Sequence, residues 1–492
     1  MYEPTWDSVS THPVPQWYDD AKLGIFLHWG LYSVPGWAPQ VPDIQQMLRT
    51  QGPEVMLRNN PYAEWYRNSM QIDGSPTQVH HDQTYGKDFP YDGFRGDFEA
   101  GSSAADLDAL AQLCSDGGAR YVVLTTKHHE GYTLWPASTP HPAKGHYHPP
   151  RDLVGDLAAA VRGAGMRMGL YYSGGYDWPF NDAVLKNPAD SALAIPTGPE
   201  YLDYATGHVK ELIDRYAPDV LWNDIAWPGG GNLADLFAYY YNAVPDGALN
   251  DRWIEGPLRH NAVQEAFAHG VGTVIQKLWR FVPEDSKSLT FPAAHHYDFR
   301  TPEYATFDKI VEKKWEATRG VGHSFGANRN ERPEDIVTVT ELVRSFVDIV
   351  AKNGNLLIGI GPGPDGVIPD EQRVPVRGLG DWLAVNGEAI YGTRPWKVPA
   401  ATTDQGAPIR FTQSDGHVYA ILIDEPGVQR LSIRGVGEAT PGSVTTVRML
   451  GLDTPLPAAV ESGSTLTIDL PADLPVAPAW AFDLGPGVLP AF

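Results

Sequence analysis

One pattern recurs along most of the chain: a short apolar run ending in glycine or polar residues, followed by apolar residues at helical spacing. Leu23-Gly-Ile-Phe-Leu-His-Trp-Gly30 opens the series and reads as a buried strand. Ser103 to Ser115 carries Leu107, Leu110, Ala111 and Cys114 on one helical face, and Gly117-Gly118 stop it. Ala119 to Thr126 is the next strand, Leu153, Leu157, Ala160 and Val161 the next helix face, and Met168 to Ser173 a strand again. A helix over about Glu200 to Arg215 leads to the strand Asp219 to Asp224. A helix over Leu233 to Tyr241 precedes Gly247 to Arg252, and Leu342, Phe346, Ile349 and Val350 precede the strand Asn355 to Ile360. Such alternation requires parallel strands joined by right-handed crossovers. Eight units close into a barrel, whereas fewer leave an open sheet. Six or seven strands can be read, so an α/β, (β/α)8-like (TIM-type) barrel is expected over residues 1–396.

From about Val398 helical spacing stops. Short alternating runs follow: Ile409 to Thr412, Val418 to Ile423, Leu431 to Ile433, Val444 to Leu450, Leu466 to Leu470 and Trp480 to Leu484. Gly, Pro and Asp turns separate them, the signature of an antiparallel β-sandwich. A second domain over residues 397–492 is expected, with the break near Arg394 to Pro399.

Composition narrows the partners. The formal net charge is -23, which repels phosphate backbones and anionic lipid, so neither nucleic acid nor a membrane surface is expected as a partner. The lone cysteine, Cys114, allows no intrachain disulfide and no cysteine metal cluster. Met1 to Pro15 has no basic segment followed by an apolar run, and a cytoplasmic location is expected of the chain as written. A homo-oligomer is compatible with the sequence.

Functional side chains of a parallel barrel gather at the C-terminal ends of its strands. Here those ends are His28-Trp29-Gly30, Lys127-His128-His129-Glu130, Tyr171-Tyr172-Ser173, Trp222-Asn223-Asp224 and Asn250-Asp251-Arg252. Each alone reads as a capping group. Five in succession suit a polyhydroxylated, uncharged ligand, whose hydroxyls bond imidazole and carboxylate while its ring face stacks on tryptophan. Cleaving a glycosidic bond takes two carboxyl groups, and Asp224, flanked by Trp222 and Trp227, is the best nucleophile among them.

These residues carry a resemblance. Trp17 to Pro35, Ala63-Glu-Trp-Tyr66, Tyr121 to Gly131, Gly169 to Ser173, Asp219 to Asp224, Asn353 to Leu357 and Gly387 to Tyr391 are similar to segments of the glycoside hydrolase family 29 α-L-fucosidases. The resemblance implies a barrel with an appended β-sandwich and a retaining exo-acting α-L-fucosidase. It places the nucleophile at Asp224 and the acid/base at Glu303, within Asp298 to Tyr304. It assigns sugar binding to His28, Glu64, Trp65, His128, His129, Tyr171, Trp222 and Arg252, and a wall for the fucose methyl group to Phe26 and Phe325. About fifty residues separate Arg252 from Glu303, leaving Glu255 and Glu265 as rivals for the acid/base. Asn223 replaces an aromatic common in other members, with little effect expected. Glu303 must start protonated, so its pKa is expected above that of Asp224. The scheme needs a fucosylated oligosaccharide or glycoside and no metal or organic cofactor.

Two other readings remain open at this level. One is a metal-dependent hydrolase using His28, His128 and His129, although neighbouring residues on a strand face opposite ways. The other is a sugar-binding protein without catalysis.

Overall fold

The computed structural model describes residues 1–41, 44–187, 189–259, 270, 274, 279, 294–304, 306–434, 436, 446–461 and 465–486. Seven strands, β1 (Leu23–Leu27), β2 (Tyr121–Lys127), β3 (Arg167–Ser173), β4 (Val220–Asp224), β5 (Ala248–Leu249), β6 (Trp315–Gly320) and β7 (Gly354–Ile360), form one parallel sheet. Its order is β5-β4-β3-β2-β1-β7-β6. The two edges, β5 and β6, are joined by residues 299–303. Parallel bridges link Asn250 to Phe299, Arg300 to Trp315 and Glu303 to Thr318. The N–H of Asp298 donates to the Leu249 carbonyl, that of Glu316 to Arg300, and that of Thr318 to Pro302. This segment is the eighth stave, and it closes a (β/α)8-like barrel.

Side chains alternate along the staves, and both faces are apolar, as a sheet covered on each side requires. Phe26, Val123, Tyr171, Trp222, Phe299 and Leu357 fill the barrel interior. Ile25, Val122, Leu124, Leu170, Leu221 and Ile358 face outward and pack with the helices. The covering helices include Leu107–Asp116, Leu153–Gly163, Pro199–Tyr216, Leu233–Ala243, Val339–Ala351 and Asp370–Asn386. Side chains of Asp106, Asp152, Asn232 and Thr338 cap four of them at the N-terminus. The Asp106 cap explains why the helix expected from Ser103 starts at Leu107. The preceding residues Arg95–Ser103 form a helix of their own.

β6 and the closing stave were not legible in the apolar pattern. β6 reads Trp-Glu-Ala-Thr-Arg-Gly, with Glu316 fully buried at its second position. That carboxylate accepts from the Tyr18 hydroxyl at 2.7 Å, the Tyr121 hydroxyl and Trp222 Nε1 at 3.1 Å. Three donors offset its desolvation.

Strands β8 (Arg394–Thr402), β9 (Pro408–Ser414), β10 (His417–Leu422), β11 (Arg430–Arg434), β12 (Thr446–Met449), β13 (Leu456–Glu461), β14 (Thr465–Asp469) and β15 (Trp480–Pro486) build the second sheet, ordered β11-β14-β13-β12-β15-β10-β9-β8 and antiparallel throughout. It is one continuous sheet curled on itself, with β11 brought against the end of β8 by a Thr403–Ile433 bridge. The result is a nearly closed antiparallel barrel or sandwich around Trp396, Phe411, Ile433, Leu466, Trp480 and Phe482. Pro395 and Pro399 made β8 unreadable as a strand; at the end of the sheet order the missing N–H groups are tolerated. Val444, placed in a strand by sequence, lies outside the described residues; β12 covers Thr446–Met449. The domain is tied to the barrel by bonds from Thr412 Oγ1 to the Ala389 carbonyl (2.7 Å) and from Trp382 Nε1 to the Ala479 carbonyl (2.9 Å).

Candidate active site

The polar stave ends converge on one pocket at the C-terminal mouth of the barrel. Phe26, His28, Tyr62, Glu64, Trp65, His128, Tyr171, Trp222, Asp224, Arg252, Glu303, Thr318 and Phe325 line it.

Two carboxylates and one guanidinium form its centre. Asp224 closes β4. Its Oδ1 accepts from Arg252 Nη1 and from the N–H of Ile225, both at 2.8 Å, and its Oδ2 accepts from the Tyr171 hydroxyl at 2.8 Å. Arg252 follows β5 and also donates from Nη2 to Glu303 Oε1 at 2.7 Å. Its Nε donates to Thr301 Oγ1 at 3.0 Å, so the eighth stave fixes the guanidinium that contacts it. Burial disfavours charge on Arg252, but the carboxylates of Glu303 and Asp224 outweigh it and hold the group more firmly protonated than usual. The guanidinium carbon stands 4.7 Å from the centre of the Trp222 ring, a cation–π distance.

Imidazoles and aromatic rings surround this centre. His28 and His128 line the pocket, while His129 stands behind it. His129 Nδ1 pairs with Ser173 Oγ at 2.7 Å, and its Nε2 is 3.9 Å from Asp224 Oδ2. Burial, with His128 adjacent, pushes His28 and His129 well below the usual imidazole range. Both are therefore neutral near pH 7, and a neutral imidazole offers one donor and one acceptor. Glu64 Oε2 accepts from the Gly326 N–H at 2.9 Å and the Ser324 hydroxyl at 3.1 Å. Burial raises the Glu64 carboxyl above its ordinary pKa, against the opposing effects of His128 and the Gly326 N–H. Phe26 lies 5.3 Å from Trp222 and 6.3 Å from Phe325, ring centre to ring centre, giving one apolar wall. Trp65 meets His129 edge to face at 5.2 Å.

The structure thus gathers twelve sequence-assigned positions at one site, eleven in the lining and His129 behind it. It adds Tyr62 and Thr318, which no motif marked. Both hydroxyls, and His28 Nδ1, are buried without a partner in the protein, which is the condition ligand hydroxyls would relieve. Of the rival acid/base residues, Glu255 is exposed and outside the lining, its backbone paired with Trp227. Glu265 lies outside the described residues. Asn223, expected to matter little, is fully buried and donates from Nδ2 to the carbonyls of Ala226 (2.9 Å) and Arg252 (2.8 Å).

A family model described as α-L-fucosidase matches residues 1–388, and one described as the α-L-fucosidase C-terminal domain matches residues 403–485. The chain belongs to the α-L-fucosidase family. The α-L-fucosidase of Dictyostelium discoideum is 31% identical over 96% of this chain and 93% of its own length. That of Branchiostoma floridae is 32% identical over 97% and 94%. Among solved structures, Thermotoga maritima α-fucosidase with a mechanism-based inhibitor superposes with a TM-score of 0.80 at 40% identity, covering 98% of this chain and all of the other. The same enzyme with fucose gives 0.80 at 39%, covering 98% and all of the other. This α-L-fucosidase family member therefore shares the barrel and the C-terminal domain of its relatives.

The metal alternative fares less well. β2 ends at Lys127, so His128 and His129 are past the strand and their rings lie 3.9 Å apart; strand alternation does not separate them. Yet among the described residues no group of three or more His, Cys, Asp or Glu side chains is arranged to hold a metal ion.

Proposed function

We propose that the chain is a retaining exo-α-L-fucosidase in which Asp224 is the nucleophile and Glu303 the acid/base. The observation that carries this reading is the shared guanidinium: Arg252 bonds both carboxyl groups inside one pocket. Retaining glycosidases set these groups about 5–5.5 Å apart and inverting ones about 6.5–9.5 Å. Two carboxylates on neighbouring nitrogens of one guanidinium favour the shorter spacing.

Asp224 attacks the anomeric carbon while Glu303 gives its proton to the departing glycosidic oxygen. A fucosyl ester forms on Asp224 and the aglycone leaves as an alcohol. Glu303, now ionised, takes a proton from water, the hydroxide attacks the same carbon, and the ester bond breaks to restore both carboxyl groups. Tyr171 and Arg252 fix the Asp224 oxygens for attack. His28, Glu64, His128, His129 and Trp65 hold the sugar hydroxyls and ring face. Fucose carries a methyl group where other hexoses carry a hydroxymethyl, and Phe26, Trp222 and Phe325 provide an apolar wall for it. The scheme draws on no metal or organic cofactor.

The test is a panel of aryl glycosides with the first product followed by NMR. Hydrolysis confined to α-L-fucosides, releasing α-L-fucose before mutarotation, is expected. A β-anomer as first product would defeat the retaining mechanism. Binding of fucose with no hydrolysis would leave only a lectin-like role.

A further inference from the structure

Asn223 lies between the two halves of the catalytic centre and touches neither the pocket nor any group that reacts. It is the residue before Asp224, and none of its surface is exposed. Its carboxamide has three partners. Nδ2 donates to the carbonyls of Ala226 (2.9 Å) and Arg252 (2.8 Å), and Oδ1 accepts from the N–H of Gly174 (3.1 Å). Its backbone is tied on both sides to the Asn250 side chain, at 2.9 and 2.8 Å. One side chain thus joins the ends of β3, β4 and β5.

What it joins is strained. Ile225 has φ 69°, which a β-branched residue rarely adopts. The N–H of Ala226 closes onto the Asp224 carbonyl at 2.9 Å, an i to i+2 bond, so this is a tight γ-type turn. The turn aims the Ile225 N–H at Asp224 Oδ1. Strained backbone persists only where its surroundings hold it, and the Ala226 carbonyl is held by Asn223. The other side is built to fit: a Cβ on Gly174 would come within 2.4 Å of Asn223 Oδ1, and one on Gly175 within 2.7 Å of Ile225 Cβ.

We infer that Asn223 is a positioning residue for the reaction, locking the turn that directs Asp224 and the backbone that carries Arg252 into one rigid unit. The inference rests on Asp224 as nucleophile. Attack needs the carboxylate aligned within a fraction of an ångström, whereas of the groups assigned to the sugar the Asn223 side chain hydrogen-bonds only Arg252, through its backbone carbonyl, and His28, Glu64, His128 and Trp65 are held by other contacts.

The experiment compares N223A, N223S and N223D in the full chain. Measured for each are folding by circular dichroism, affinity for L-fucose by calorimetry, and kcat and KM on an aryl α-L-fucoside. In N223A, kcat is expected to fall about 100-fold, the scale of a 1 Å misplacement, with L-fucose affinity within about threefold of the parent on the same principle. N223S, keeping one donor, should lie between N223A and the parent. N223D is isosteric but has no N–H to give the two carbonyls, and should be at least as impaired as N223A; it takes the place of N223A if that variant does not fold. Parental kcat in a folded N223A or N223D, or a loss of L-fucose affinity equal to the loss of kcat, would overturn the inference. D224G is run alongside: if it keeps parental turnover, the nucleophile assignment fails, whereas a dead D224G beside a fully active N223A removes only the role of Asn223.

Discussion

Asp224 stands at the end of β4 and Glu303 at the end of the closing stave, and β5 between them leads to Arg252, which bonds both: 2.8 Å to Asp224 and 2.7 Å to Glu303. A planar guanidinium can present parallel N–H bonds to two carboxylates at once; an ammonium cannot. R252K should therefore keep the charge and lose the geometry, with kcat on an aryl α-L-fucoside falling on the order of 100-fold, as for a 1 Å misplacement. R252A should fall further and also melt lower, because it strands two largely buried carboxylates. Steady-state kinetics and thermal melting check both. R252K with parental kcat would deny the bridge any catalytic role.

The two carboxyl groups can be told apart by the products their absence allows. D224G should lose turnover by about 10⁴-fold or more, the scale seen when other hydrolases lose a nucleophilic unit. Added azide can then enter the vacated face and yield β-L-fucosyl azide. E303G still forms the ester on Asp224 from a good leaving group, so azide should intercept that ester and give the α-anomer. NMR of the two azides reads the assignment, and the same anomer from both variants would contradict it.

The apolar wall makes a separate prediction. F325A should enlarge the space beside Phe26 and lower the preference for α-L-fucoside over α-L-galactoside. A buried methyl or a rejected hydroxyl in an apolar pocket is worth about 1–3 kcal/mol, or about 10–200-fold in kcat/KM. The ratio of kcat/KM on the two aryl glycosides measures it. An unchanged ratio would move the methyl site away from Phe325.

Stability should carry a histidine signature. Burial holds His208 down to about 4, from an ordinary value near 6.5, with its Nε2 against the Thr139 carbonyl and its ring against Trp135. The unfolded chain binds the proton first, so stability is intact above about pH 6.5 and is lost as pH falls toward 4. His28 and His129 act in the same direction. Across that window His208 alone should account for roughly 2–3 kcal/mol, at about 1.36 kcal/mol per unit. H208Q should flatten the fall in melting temperature between pH 6.5 and 4. A slope equal to the parent's would mean that His208 is protonated in the native state.

Much of the site was legible because it lies where sequence reports best. Apolar strands end abruptly in chemistry at His28, His128, Tyr171, Asp224 and Arg252. Glu303 was legible only through resemblance, since its stave is a run of bridges with no apolar pattern of its own. β6 was missed for a related reason: its buried carboxylate reads as solvent-facing until Tyr18, Tyr121 and Trp222 are seen to satisfy it. Tyr62 and Thr318 were invisible because their unpartnered hydroxyls mean something only once they are seen to be buried. The bonds of the buried Asn223 amide were not legible either, because all of them are to backbone, which sequence does not display.

The closing stave has a further meaning. Among the described residues no helix connects 299–303 to β6, and the stave joins its neighbours through single bridges, not a regular ladder. Lengthening a loop adds conformational cost only logarithmically, so this is where the barrel wall most cheaply accepts inserted chain. Asp224, the proposed nucleophile, by contrast sits on a strand paired along its whole length on one side. Under the proposed mechanism the scaffold thus separates a fixed half, which performs the attack, from a loosely bridged half, which meets the leaving group.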